Sequence, residues 1–431
     1  MPQLTINGRS VHAPDGATIL EAAAKVGIEI PTLCHHPDLS NVGACRMCVV
    51  SVEKARGLQT ACTTPVFEGM VVHTDSADAA ETRKFVLEML LTDHPNACMI
   101  CEVNGDCELQ DLVYDYAVTW PEQNGRRHTW DIDPDPNPFI FIDRNKCILC
   151  SRCIRACGEM QNRDIWSFAY RGFKTKLVAG ADQNMLDAGC ESCGQCVAYC
   201  PVGALYDKMS LGQGRTSRVK KVRTTCSYCG VGCNFDLNVR DGKIVRVTST
   251  SEAPVNGMAL CVKGRYGYDY VHHPERLTRP LVRVKWLDSQ MIETEIARGH
   301  WQVAEVGEAV KRRGARAKAA GEPKVAGEPN DGGNGQAPST RPSFFNSSPP
   351  EYGQAIPEYA QALSADTFIA TDWDTALDVV ARKFSQEKQA HGGDAFAFLA
   401  SAKCSNEENF LFAKFTRQML ATNSIDHCAR L

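Results

Sequence analysis

Residues 147–157 read CILCSRCIRAC, and residues 190–201 read CESCGQCVAYCP. Both are Cys-x2-Cys-x2-Cys-x3-Cys runs, they open 43 residues apart, and the second closes on Pro201. That spacing is the one iron–sulfur clusters use. Zinc ribbons favour two separated Cys pairs, and disulfide frameworks belong to small secreted domains. Working outward from these runs, nineteen of the 21 cysteines and one histidine fall into five successive sets. The first is Cys34/Cys45/Cys48/Cys62 and the second is His94/Cys98/Cys101/Cys107. Cys147/Cys150/Cys153/Cys157 and Cys190/Cys193/Cys196/Cys200 are the two runs, and Cys226/Cys229/Cys233/Cys261 follows them. So much sequence given to redox ligands implies a chain built to move electrons.

Composition narrows the setting. A chain of 431 residues holds several domains. Its 43% apolar and 23% charged residues are those of a globular protein. The net charge of −4 gives no reason to expect a nucleic-acid partner. No stretch approaches the roughly 18 apolar residues of a membrane span. The first residues, MPQLTINGRS, start at once with strand-like sequence and carry neither a signal peptide nor a twin-arginine leader. A cytoplasmic location, reducing enough to keep thiols free, is the expectation.

The expected architecture is α+β and multidomain. Residues 1–78 form a small β-rich domain: Leu4–Ile6 and Arg9–His12 flank Asn7-Gly8, a hairpin signal, and Thr18 with Glu21 makes a capping box ahead of a helix ending at Gly27. Residues 79–120 carry the His94 set behind a helix over Thr82–Leu91, with Phe85, Val86, Met89 and Leu90 on one face. Residues 138–210 hold the paired runs, with 158–189 inserted between them. Residues 220–285 form a cysteine-rich β domain in which Asn234–Val239 and Lys243–Thr248 flank Asp241-Gly242. Residues 300–365 are low-complexity: seven glycines and seven prolines fall within 311–357, opened by a basic cluster at Lys311, Arg312, Arg313, Arg316 and Lys318. A solvated linker is the reading there. Residues 366–431 begin an α/β domain, with helices over Trp373–Phe384 and Glu407–Leu420 around a strand at Ala395–Ala400.

Four thiolates suffice for a [2Fe–2S] centre in the first set, each iron taking two. His35 and His36 adjoin Cys34, but with four cysteines present they read as packing residues. In two-cluster ferredoxins the fourth cysteine of each run serves the other cluster. That assigns Cys147, Cys150, Cys153 and Cys200 to one [4Fe–4S] centre, and Cys157, Cys190, Cys193 and Cys196 to another. Gly158 stands where proline is usual. Taken alone, the fifth set would also accept zinc.

Resemblance sharpens these assignments. The hairpin, helix and cysteine loop of the first domain resemble a β-grasp [2Fe–2S] ferredoxin, as found at the head of complex I subunits and related dehydrogenases and hydrogenases. DHPNACMICEVNGDCELQDL (93–112) resembles the [4Fe–4S] segment of those families, in which one histidine joins three cysteines; this implies ligation by His94. The fifth set and ALCVKGRYGYDYVHHPERLTRPL (259–281) resemble the [4Fe–4S] domain of molybdopterin oxidoreductases, formate dehydrogenase large subunits in particular. There, the lysine two places after the last cysteine relays electrons between cluster and pterin, a role that falls on Lys263.

The module order resembles the α subunit of a cytoplasmic, NAD(P)-linked, molybdenum- or tungsten-containing formate dehydrogenase. The resemblance implies one [2Fe–2S] and four [4Fe–4S] clusters, a bis(molybdopterin guanine dinucleotide) metal centre in the full-length protein, and a flavin- and NAD(P)-binding iron–sulfur partner. SAKCSNEENFLFAKF (401–415) and NSIDHCARL (423–431) resemble the approach to the catalytic cysteine or selenocysteine. Ser401, Lys403, Asn406 and Asn409 then fall near the pterin, Cys404 reads as a packed thiol, and Cys428 matches a non-ligand position. No catalytic residue is expected before Leu431. One account is a selenocysteine UGA read as stop, leaving this chain alone inactive toward formate. The other function class is a non-catalytic electron-transfer subunit of a hydrogenase or complex I-like assembly, without pterin metal.

Overall fold

In a computed structural model, which describes residues 1–119, 126–283, 286–287 and 368–428, Asn7 and Gly8 adopt φ of 48° and 79°. Left-handed conformation at both turn positions matches the strand twist, and it pairs β1 (Gln3–Ile6) with β2 (Arg9–His12) from Ile6↔Arg9 to Gln3↔His12. Together with β3 (Val49–Val52), β4 (Gln59–Thr60) and β5 (Val71–His73) they make a mixed sheet of order β2-β1-β5-β3-β4. The period-2 pattern of β1 turns Leu4 and Ile6 inward, against Ile19, Ala22 and Ala23 of α1 (Ile19–Lys25). Each buried Leu, Ile or Val contributes roughly 1.5–3 kcal/mol. Thr18 and Glu21 cap α1 reciprocally, as their spacing predicts.

α2 (Ala77–Asp93) is longer than expected, and of its expected inward face only Val86 and Leu90 pack, half-buried, on the core. Ala79, Arg83, Leu87 and Leu91 are buried, while Phe85 and Met89 stand 59% and 53% exposed. The reason is Arg83, whose guanidinium donates to Val49 O at 2.6 Å and Tyr116 Oη at 3.1 Å. An arginine satisfied by neighbours from two other segments can occupy a core stripe that a hydrophobic pattern would deny it. Leu87 and Leu91 share a core with Leu109 of α3 (Glu108–Asp115), with Leu33 and Met47, and with Val202 and Tyr206.

The paired runs fold as a structural repeat. α4 (Arg152–Arg155) and α5 (Gln195–Ala198) occupy equivalent positions, and β6 (Ile140–Ile142) pairs antiparallel with β9 (Leu205–Asp207) to close the unit. Positive φ recurs at matching places: Leu149 (52°) and Ser151 (61°) in the first run, Ser192 (55°) and Gly194 (71°) in the second. For residues other than glycine this is strained backbone, kept because the loop must curl around a centre. Residues 158–189 carry a hairpin, β7 (Trp166–Ala169) with β8 (Lys176–Ala179).

β10 (Lys220–Thr225), β11 (Asn234–Arg240) and β12 (Lys243–Thr248) form an antiparallel sheet. Asp241 (φ 50°) and Gly242 (φ 75°) make its second turn. α6 (Val262–Tyr266) follows Cys261 and lays Arg265 and Tyr266 against the second run. All of this lies in one compact unit, Met1–Pro274 with Ala402–Ser405.

The other unit spans Glu275–Ser401 and Asn406–Leu431. β13 (Leu281–Arg283) pairs antiparallel with β14 (Phe368–Ala370). α7 (Trp373–His391), β15 (Phe398–Ser401), α8 (Asn406–Gln418) and β16 (Ile425–Cys428) then build a β-α-β element whose two strands run parallel. Phe384 packs on Phe396, Phe398 and Phe415 at its centre. This is the α/β opening expected of the last domain. The expected linker at 300–365, with its basic cluster, lies outside the described residues.

A Cβ at Gly194 would fall inside the van der Waals shells of Tyr266 Oη and Arg265 Cδ, at a φ of 71°. Gly194→Ala is expected to lower stability by about 1–3 kcal/mol from overpacking, on top of the backbone strain. Gly16→Ala, with φ 83° but open space around it, carries only that strain, about 1 kcal/mol. Apparent melting temperatures of the two variants, loaded with iron, would separate the packing cost from the strain.

Candidate metal centres

In the first set, Cys34 and Cys45 share one loop, Cys48 leads into β3 and Cys62 follows β4. Cys48 Sγ lies 3.3 Å from Cys62 Sγ, and the Cys45 amide donates to Cys34 Sγ at 3.4 Å. Hydrogen bonding within each pair holds Cys34 and Cys48 below the ordinary thiol range and pushes Cys45 and Cys62 above it. Two thiol pairs are what two irons need. His35 Nδ1 lies 2.7 Å from Asn41 Oδ1, and His36 packs edge-on against Tyr199 with ring centroids 4.5 Å apart. Both are occupied elsewhere.

His94 caps the C-terminal end of α2. Its Nδ1 lies 3.2 Å from Pro95 O, which sets the proton there; Nε2 is buried and has no hydrogen-bond partner among the described residues. The ring lines a pocket of about 320 Å³ together with Cys98, Cys101 and Cys107. Burial lowers the imidazole's pKa, so the ring is neutral, and burial pushes Cys107 up to about 11. A neutral imidazole with one nitrogen pinned and the other bare is the form that binds metal.

A second pocket, about 340 Å³, is lined by Cys147, Cys150, Cys153 and Cys200 among apolar side chains such as Phe168, Leu177 and Leu205. Cys200, the last cysteine of the second run, thus joins the first three of the first run. Burial raises all four thiols, Cys147 and Cys200 to about 11 and Cys150 to about 12. Cys157 falls with the other set: burial is the largest cause raising Cys157, Cys190 and Cys196, main-chain amides pull Cys157 and Cys190 partly back, and the charge of Cys193 adds to all three. The amides of Ile165 and Ser192 donate to Cys157 and Cys190 at 3.4 and 3.3 Å.

In the fifth set the Cys226 amide donates to Cys233 O at 2.7 Å, and Cys261 opens α6. Burial raises Cys226 and Cys233, and the charges of Cys229 and Cys261 add to both shifts. Lys263 is exposed on α6 while Gly264, Arg265 and Tyr266 are buried. In the Ser401–Asn409 segment, Asn409 Nδ2 donates to Ser401 O at 3.3 Å, Asn406 opens α8, Lys403 sits between β15 and α8, and Cys404 is half-buried.

Among the described residues, no three of these groups converge tightly enough to grip a single ion. A lone zinc, with Zn–S near 2.3 Å, demands such convergence. The His94 pocket with its three cysteines and the Cys147 pocket with its four each bring together the four donors that a cluster takes. Neighbouring sets also touch. A Cβ at Gly203, three residues past Cys200, would lie 3.0 Å from Cys101 Sγ. Arg155 bridges Cys34 and Cys150, and Arg265 Nε donates to Cys193 O at 2.9 Å. Neither arginine was signalled by sequence, since both bond to main-chain carbonyls.

The fold and these sites define an iron–sulfur protein of oxidoreductase type. Comparison with known families makes this specific. Residues 2–77 match the 2Fe-2S iron-sulfur cluster binding domain, and 83–121 the NADH-ubiquinone oxidoreductase-G iron-sulfur binding region. Residues 137–206 match the ferredoxin-like domain of NADH-quinone oxidoreductase subunit 3. Residues 219–273 match the molybdopterin oxidoreductase Fe4S4 domain, and 276–431 molybdopterin oxidoreductase. The chain therefore joins iron–sulfur domains of the NADH–quinone oxidoreductase G type to those of molybdopterin oxidoreductases.

The NADPH-Fe(3+) oxidoreductase subunit alpha of Geobacter sulfurreducens is 30% identical over 100% of this chain and 40% of its own length. A G-type subunit of NADH-quinone oxidoreductase from Rhizobium meliloti is 39% identical over 66% of this chain and 33% of its own. A provisionally named formate dehydrogenase of Staphylococcus haemolyticus is 25% identical over 99% and 39%. The chain thus spans between 33% and 40% of the length of these relatives. No helix among the described residues is long and apolar enough to cross a membrane.

The crossed pockets predict a pairing of phenotypes. Cys200→Ala should remove iron in step with Cys147→Ala, and Cys157→Ala in step with Cys190→Ala, each pair abolishing the same EPR signal. Uncrossed pairing, with Cys200 tracking Cys190, would refute it.

Proposed function

We propose that this chain forms the iron–sulfur arm and the start of the pterin domain of a cytoplasmic formate dehydrogenase α subunit, working with a flavin- and NAD(P)-binding iron–sulfur partner. The observation that carries this reading is contiguity. Each of the first four sets adjoins another through one residue or one buried arginine, and Arg265 brings the fifth, molybdopterin-type set against Cys193. One [2Fe–2S] and four [4Fe–4S] clusters, when bound, pass single electrons, which suits delivery of the two electrons of formate oxidation from a molybdenum or tungsten bis(molybdopterin guanine dinucleotide) to a flavin.

The residues divide the work. Cys34 with Cys45 and Cys48 with Cys62 hold the two irons of the first centre. His94 Nε2 and three thiolates hold the second. The crossed sets hold the third and fourth, and Cys226, Cys229, Cys233 and Cys261 the fifth. Lys263, exposed two residues beyond Cys261, would stand between the fifth centre and a pterin. Ser401, Lys403, Asn406 and Asn409 supply polar groups toward the pterin. The formate dehydrogenase name among the relatives supports the substrate.

A second reading, a nucleotide-linked reductase arm without formate chemistry, is favoured by the match of all of this chain to 40% of the NADPH-Fe(3+) oxidoreductase subunit. The full-length protein in its native complex decides between them. Molybdenum or tungsten in the purified complex together with formate-dependent dye reduction is expected. NADPH-dependent ferric reduction with no response to formate would establish the second reading instead.

An imidazole leaves its cluster less negative than a thiolate would, and so easier to reduce. His94→Cys should therefore shift one EPR-monitored midpoint downward at unchanged iron content. An unaltered set of midpoints would remove His94 from the ligands.

A further inference from the structure

Arg155 lies between Cys153 and Cys157, where α4 runs into a π-helical turn, Ala156–Met160. Its side chain is 9% exposed. One nitrogen, Nη2, donates both to Cys34 O and, at 3.3 Å, to Cys150 O. The other, Nη1, donates to Ser40 O. A single nitrogen atom thus joins the main chains of a first-set and a third-set cysteine.

Other contacts besides Arg155 also dock the Cys34–Ser40 loop. The Ser40 amide donates to Glu159 Oε2 at 2.8 Å, Tyr199 Oη donates to Asp38 Oδ2 at 3.0 Å, and Leu39 packs on Ala156 and Tyr199. Among the described residues no carboxylate forms an ion pair with Arg155, although a buried, unpaired charge is costly. The groups that flank it on both sides are cysteines, which become thiolates when they bind metal. The missing counter-charge is therefore supplied by the two centres themselves.

We propose that Arg155 is a positioning residue that sets the potentials of two centres at once, those of Cys34/Cys45/Cys48/Cys62 and Cys147/Cys150/Cys153/Cys200. Its buried charge favours the reduced, more negative state of each. This rests on the reading that both sets hold iron–sulfur clusters, and not on formate as the substrate. The residue is also a spacer: its two hydrogen bonds from Nη2 link the two ligand sets through one atom.

The test is an EPR-monitored redox titration, with chemical mediators, of the full-length protein and its Arg155→Gln and Arg155→Lys variants, alongside iron content. Lysine keeps the charge but cannot reproduce the three-carbonyl fork. In Arg155→Gln the [2Fe–2S] signal and one [4Fe–4S] signal should both move down, the reduced fraction at fixed potential falling at least threefold, while the other three signals stay in place. Arg155→Lys should restore both midpoints. If glutamine instead costs iron at these two sites, lysine should restore that iron with native midpoints. A purely mechanical brace would fail in both variants, and an idle residue would change neither; each result overturns the proposal. Absence of a [2Fe–2S] signal in the unaltered protein would overturn the cluster reading, and the proposal with it.

Discussion

Burying a thiol disfavours its charged form, and burying several together disfavours it further. Five sets of such groups make up most of the functional content of this chain. At Cys153 and Cys196 burial alone carries the thiol well above its usual range, and the neighbouring cysteines add to the shift. Nearby arginines offset this only in part, Arg155 at Cys34 and Arg152 with Arg155 at Cys150. A bound cluster would take the thiolate form and add its binding energy to folding. In the ferredoxin-like module the apolar core itself threads between the cysteines that would hold it.

Modules built this way need joints that do not disturb the ligand loops, and the chain makes them from main-chain contacts. Arg155 and Arg265 reach the carbonyls of ligand cysteines in a neighbouring module, and Gly203 allows the chain after Cys200 to lie on Cys101. A carbonyl accepts a hydrogen bond without surrendering the thiolate beside it, so the modules can interlock while every sulfur remains available. Arginine suits the task because its fork satisfies several carbonyls at once. The outcome is contiguity among sets from distant parts of the sequence.

The ligand groups and hairpins were legible because spacing carries them. Asn7-Gly8 and Asp241-Gly242 demand two left-handed residues, and Thr18-x-x-Glu21 encodes its own hydrogen bonds. That Cys200 lies with Cys147, Cys150 and Cys153 was legible from the repeat. The inward face of α2 was not, because Arg83 occupies it and is reconciled to burial only by Val49 and Tyr116, which no local window contains. Arg155 and Arg265 escaped for the same reason. A periodic reading ranks arginine as surface, and nothing in the sequence announces a carbonyl that lies 121 residues away from its donor.

What the repeat fails to repeat is as informative as what it keeps. Ser151 and Gly194 occupy equivalent left-handed positions, yet only the second must be glycine, because Arg265 and Tyr266 of α6 pack there and leave no room for a Cβ. Gly158 and Pro201 are likewise equivalent. A Cβ at Gly158 would strike the carboxylate of Asp164, which the inserted segment folds back over it. Each departure from symmetry therefore marks a surface where a further element has docked: the inserted hairpin on the first run, the molybdopterin-type domain on the second. A two-cluster ferredoxin unit with both runs alike would have no such footprint, and the asymmetry identifies the second run as the side on which the domain of the fifth cysteine set packs.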